Sequence, residues 1–76
     1  MIPENISMEV VASSGIAKIG HDMVTNELYV EFSKGALYKY SQVPRTVYNE
    51  LIQASSTGKL FYSKVSKKYK FKRLDE

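Results

Sequence analysis

The chain has 76 residues, 43% of them apolar and 25% charged, with six tyrosines, three phenylalanines and no tryptophan. That composition excludes a disordered chain and leaves room for a single domain spanning 1–76. Without cysteine there is no disulfide and no thiolate metal site, and the lone His21 cannot hold a metal unaided, so no metal and no other cofactor is expected. The net charge of +3 hides an uneven distribution that the chain order makes plain.

Residues 1–7 carry Pro3, Glu4, Asn5 and Ser7 and read as a loose lead-in. They have neither a basic start nor a long apolar stretch, so no secretory signal is expected, and the initial Met points to a whole natural chain. No apolar run approaches the ~20 residues of a membrane span. A cytoplasmic location is the expectation. Met8 to Val11 and Ile16 to Asp22 read as one extended stretch, interrupted by a bend or bulge at Ser13-Ser14-Gly15.

Glu27 to Phe32 is the clearest strand, with Leu28, Val30 and Phe32 on one face and Tyr29 and Glu31 on the other. Ser33-Lys34-Gly35 makes a hairpin loop, and Leu37 to Ser41 returns with Tyr38 and Tyr40 sharing a face. Pro44 opens a helix whose apolar stripe is Val47, Tyr48, Leu51, Ile52 and Ala54. After Ser55 to Gly58, with Ser56 or Thr57 as cap, a second helix is expected from about Lys59 to Lys67, with Phe61 and Val65 inward. Tyr69 to Leu74 alternates again and fits a fourth strand. The expected fold is therefore α+β, a three-stranded antiparallel meander, with room for that C-terminal fourth strand, packed against two short helices.

The motifs Ser13-Ser14-x-Ile16, Ile19-Gly20-x-Asp22, Leu28-x-Val30-x-Phe32, Gly35, Tyr38-x-Tyr40, Val43-Pro44, Val47-Tyr48 and Ala54-x-Ser56-x-Gly58, followed by Phe61, fall in the order and spacing of the KTSC domain. The resemblance covers about residues 8–70, and its signature is Tyr38-Lys39-Tyr40. The chain departs from the pattern at His21, where a tyrosine is common, and at Leu60-Phe61-Tyr62, where Tyr-Phe-Asn is common. The family is named after the C-terminus of some lysyl-tRNA synthetases and includes free-standing bacterial and phage proteins. The resemblance implies a small accessory domain, for which RNA binding has been suggested by association with synthetases.

Residues 1–58 hold four basic and six acidic side chains, whereas 59–73 hold Lys59, Lys64, Lys67, Lys68, Lys70, Lys72 and Arg73 with no acid. Interleaved with aromatic residues, such a run can hold a polyanion and stack its bases, or it can be a solvated helix face and a lysine-guarded edge strand. Tyr38 and Tyr40 present the same choice, a stacking platform if their face is open and core if the helices cover it, and the register that decides is invisible here. No catalytic set assembles. His21 and Asp22 are neighbours on a strand, so their side chains diverge, and the glycines form no phosphate loop. The expected role is a non-catalytic binding domain, with RNA as partner through Tyr38, Tyr40 and the 59–73 cations. The alternative is a protein-interaction module that adds a strand to a partner or forms homo-oligomers.

Overall fold

The computed structural model describes residues 5–11 and 13–74. Residues 1–4 of the expected lead-in, Ala12, and the closing Asp75 and Glu76 lie outside the described residues. The elements run β1 (Glu9–Val10), β2 (Ile16–Asp22), β3 (Glu27–Phe32), β4 (Leu37–Tyr40), α1 (Arg45–Gln53), α2 (Thr57–Lys64) and β5 (Phe71–Arg73). All neighbouring strands pair antiparallel, in the spatial order β1-β2-β3-β4-β5. The fold is thus the expected α+β arrangement of antiparallel strands and two helices, with five strands in the sheet.

The extra strand comes from the first segment. Rather than one bent strand, the chain reverses between Val11 and Ile16, so that Glu9 pairs with Ile19 and Val10 with Lys18. Ser13 makes the reversal, because its Oγ accepts the backbone N–H groups of Gly15 and Ile16, both at 3.3 Å. A side-chain acceptor of this kind offers the backbone a turn in place of a ladder. The loop is then pinned to the β3–β4 turn, where Ser33 donates its N–H to the Gly15 carbonyl at 3.0 Å and its hydroxyl to the Ser14 carbonyl at 2.9 Å. Gly35 supplies the left-handed position of that turn, at φ 99°.

The core lies between one sheet face and the helices. Ile16, Ile19, Leu28 and Val30 from the sheet meet Tyr48 and Leu51 of α1, Phe61 of α2, and Val43 and Val65 just outside the helices. Leu51 is fully enclosed, whereas Ile52, expected in the same stripe, is exposed. Pro44 sits at the cap of α1, one residue before the first helical position, and its carbonyl accepts the N–H of Val47 at 3.0 Å. Neither Ser56 nor Thr57 caps α2 with its side chain. Thr57 instead donates its hydroxyl to the Leu51 carbonyl at 3.0 Å, tying the start of α2 to the last turn of α1. Ending at Lys64, α2 gives way to a turn over 65–68 in which the Phe61 carbonyl accepts the N–H groups of Val65 and Ser66.

Val43 ties the chain leaving β4 to the β2–β3 turn. Its N–H donates to the Asn26 carbonyl at 2.7 Å, and its own carbonyl accepts from His21 Nε2 at 2.6 Å. His21 is 7% exposed and stacks on Tyr48, with ring centroids 5.5 Å apart. Its neighbour Asp22 turns the other way, accepting the N–H groups of Val24 and Thr25 in the β2–β3 turn. On the opposite sheet face, Gly20 faces Tyr29, and a Cβ at Gly20 would lie 2.6 Å from Met8 Sδ and 2.9 Å from both Ile6 Cγ2 and the Ser7 carbonyl. The stretch before β1 therefore crosses the sheet over a glycine, and Ile6 within it is buried.

Truncating Leu51 to Ala removes a fully buried side chain and is expected to cost ~2–5 kcal/mol. Urea denaturation of parent and variant measures it; Ile52→Ala, on the exposed side of the same helix, should shift the midpoint far less.

Candidate aromatic groove

Register decides the fate of the tyrosine pair. Tyr38 lies opposite Val30 and Tyr40 opposite Leu28, so both share the sheet face that the helices cover. Beyond them, β5 adds Phe71 opposite Tyr40 and Arg73 opposite Tyr38 on that same face. The helices do not cover all of it. Between α2 and the β3–β4–β5 edge of the sheet a groove of about 590 Å³ remains, lined by Phe32, Tyr38, Tyr40, Tyr62 and Phe71, with Ser14, Gly15, Ser33, Lys34, Ala36 and Ser66 completing its walls.

The rings form a continuous cluster. Tyr38 and Tyr40 stand side by side, centroids 6.4 Å apart and planes 26° from parallel. Phe71 tilts against both, at 5.4 Å from Tyr38 and 5.6 Å from Tyr40. Phe32 meets Tyr38 edge-on at 5.4 Å, and Phe61 meets Tyr40 edge-on at 5.2 Å. Tyr40 is consequently only 5% exposed, a floor ring rather than one with an open face, while Tyr38 is half-buried. Phe71 and Tyr62, at 58% and 57% exposure, offer the accessible aromatic surface. Burial, with the neighbouring Tyr38 and Tyr62 phenols adding to it, pushes the Tyr40 phenol up to about 12.

The cations of 59–73 do not form one patch. Lys59 lines a hollow of about 280 Å³ that shares Ser14, Gly15 and Tyr62 with the groove. Arg73 lies over the Tyr38 ring, 6.0 Å from its centroid. Lys64 turns toward α1 and pairs with Glu50 at 2.9 Å. Lys68 and Lys70 border a separate cleft with Ser41, Gln42 and Tyr69. Lys67 is exposed in the turn after α2, and Lys72 stands opposite Lys39 on the far sheet face. Lys39 is itself paired with Glu27 at 3.0 Å, and that hydrogen-bonded contact holds the Glu27 carboxyl below its ordinary range.

Phe32 and Lys34 are groove residues that the sequence did not single out as site residues, while Tyr62 and Phe71 were marked there only as aromatics interleaved with the cations. The four come from a strand, a turn, a helix and the last strand, so no local spacing joins them into one groove. Among the described residues no cluster of His, Asp or Glu suits a metal ion, and no helix is long and apolar enough to cross a membrane.

Known proteins share this architecture. The profile described as KTSC domain matches residues 12–69. An uncharacterised protein of Stutzerimonas stutzeri is 45% identical over 49 residues, which is 64% of this chain and 69% of its own length. The lysine–tRNA ligase of Trichormus variabilis is 36% identical over 61 residues, 80% of this chain but 11% of that enzyme. The crystal structure of a KTSC domain protein from Yersinia pestis superposes with a TM-score of 0.84 at 27% identity, covering 91% of this chain and 97% of that one.

The raised phenols carry a consequence for alkaline stability. Burial raises Tyr29 and Tyr48 as well as Tyr40. The unfolded chain releases a tyrosine proton near 10, whereas folded Tyr40 holds its proton to about 12. In that window the unfolded state binds fewer protons, so stability is intact below about pH 10 and falls as pH rises toward 12. Denaturant midpoints across this range measure the fall, and Tyr40→Phe should flatten it.

Proposed function

The chain belongs to the KTSC domain family, and on that footing we propose that it is a non-catalytic binding domain whose aromatic groove takes single-stranded nucleic acid, with RNA the foremost class. One observation carries the reading. The groove offers the half-buried Tyr38 and the exposed Phe71 and Tyr62 as stacking surfaces, and Lys34 is the charged residue among its described lining, with no carboxylate. Aromatic faces flanked by cations are what a single strand requires, because every base has a π-face and every nucleotide a phosphate. Lys59 and Arg73 border the same opening. Relatives in which a matching stretch forms about a tenth of a lysine–tRNA ligase add weight to RNA as the polyanion.

In this reading the stacking contacts are Tyr38, Phe71 and Tyr62, and the phosphate contacts are Lys34, Lys59 and Arg73. Lys67, Lys68, Lys70 and Lys72 add to the positive field at longer range. Lys64, held by Glu50, contributes little. A protein-interaction role is the competing reading, and the outer edges of β1 and β5, each paired on one side only among the described residues, are what favours it.

Fluorescence anisotropy with labelled single-stranded RNA tests the proposal. Three phosphate contacts predict a slope of log affinity against log salt of about −2. Phe71→Ala should weaken binding by ~1–3 kcal/mol, the worth of one stacked base, and Lys34→Glu should make the slope shallower. Lys64→Ala should leave both unchanged. Absence of any salt-sensitive binding to RNA or DNA would remove the reading in favour of the protein-interaction role.

A further inference from the structure

We infer that the hydroxyl of Tyr40 reads the occupant of the groove by hydrogen-bonding the edge of an unpaired nucleobase stacked beside it on Tyr38 and Phe71. The inference rests on the reading of the groove as a single-strand site and deepens it, from a surface that stacks any flat ring to one that recognises a polar edge.

Buried polar side chains elsewhere in the molecule are tied to the protein by at least one atom, with His21 Nδ1 left unpaired among the described residues. Thr57 donates to the Leu51 carbonyl at 3.0 Å, His21 Nε2 to the Val43 carbonyl at 2.6 Å, and Tyr29 to Glu27 at 3.4 Å. Tyr40 is as deeply placed, at 5% exposure, yet its hydroxyl forms no hydrogen bond with the described residues, and the residue lines the groove. The oxygen is not enclosed, so the little surface Tyr40 exposes includes a hydroxyl open to the solvent of the groove, where an occupant can meet it. Packing does not call for the oxygen. The ring contacts with Phe61, Phe71 and Tyr38 would be made equally by phenylalanine. What the oxygen adds is one donor and acceptor on the floor of an otherwise apolar, ring-lined groove.

The occupant that suits this floor is planar, so that it stacks, and carries adjacent donors and acceptors on its rim. A nucleobase has both properties. An aliphatic side chain has neither, and an unsubstituted aromatic ring stacks but leaves the hydroxyl unmatched. The phenol keeps its proton until about pH 12, so it is a donor as well as an acceptor throughout the working range. A duplex presents its base edges already paired and cannot lay a single base on the floor, which restricts the occupant to unpaired nucleotides.

The test uses the full chain with labelled single-stranded RNA homopolymers and one strand bearing a central abasic site. Tyr40→Phe should keep the parent's circular dichroism and salt slope, lose about two- to tenfold in affinity, and show a flatter preference among the homopolymers. On the abasic strand the parent should bind more weakly than on the intact strand, and Tyr40→Phe should add no further loss. Equal affinity and equal base preference in parent and variant, or equal binding of abasic and intact strands, overturns the inference while salt-sensitive binding leaves the groove's general role standing. Absence of binding by the parent to every strand overturns both.

Discussion

The pairing register between β3 and β4 governs the rest of the molecule. Tyr38 against Val30 and Tyr40 against Leu28 commit both tyrosines to the face under the helices. A slip of one residue would send them to the far side and place Leu37 and Lys39 over the core. Two features hold the pairing. Gly35 sets the length of the turn at one end, and at the other the chain leaving β4 is anchored through both backbone groups of Val43. His21 belongs to this anchor, which gives the imidazole a structural task on the opposite side of its strand from Asp22.

The same register explains why a run of cations in sequence is not a patch in space. Alternation along β5 sends Lys72 to the face of Lys39 and Arg73 to the face of Tyr38. The helical turn directs Lys64 to Glu50, while Lys59 sits where α2 begins, beside the groove. Of the seven cations, Lys59 and Arg73 are thereby left at the groove's border, while the others are spread over the rest of the surface. In the proposed reading, Coulomb attraction draws a polyanion toward such an opening over several ångströms, and the rings hold what arrives.

Much of the fold was legible in the sequence because its signals are local. The period of two at Leu28, Val30 and Phe32, the loop at Gly35 and the stripe of Tyr48 and Leu51 each state their own geometry. The first reversal was missed, since a hydroxyl on Ser13 turns the chain there and serine carries no strong directional mark. The site was harder to see. Tyr38 and Tyr40 stood out by spacing, but which was floor and which was wall depended on Phe61 and Phe71, residues more than 20 positions away that only pairing and packing bring close. Lys34 and Tyr62 likewise acquire meaning only once α2 lies across from the β3–β4 turn.

The last strand gives the groove a property of its own. Phe71 stands on three residues, all exposed, joined to the sheet along one side. Short, solvated edge segments are the first to open in native-state fluctuations, which makes this wall the part of the groove expected to open before the rest of the sheet. Any occupant that leans on Phe71 must also zip the strand, and its affinity then includes the free energy of that local ordering. Amide exchange along the C-terminal segment and occupancy of the groove are on this account two readings of one equilibrium.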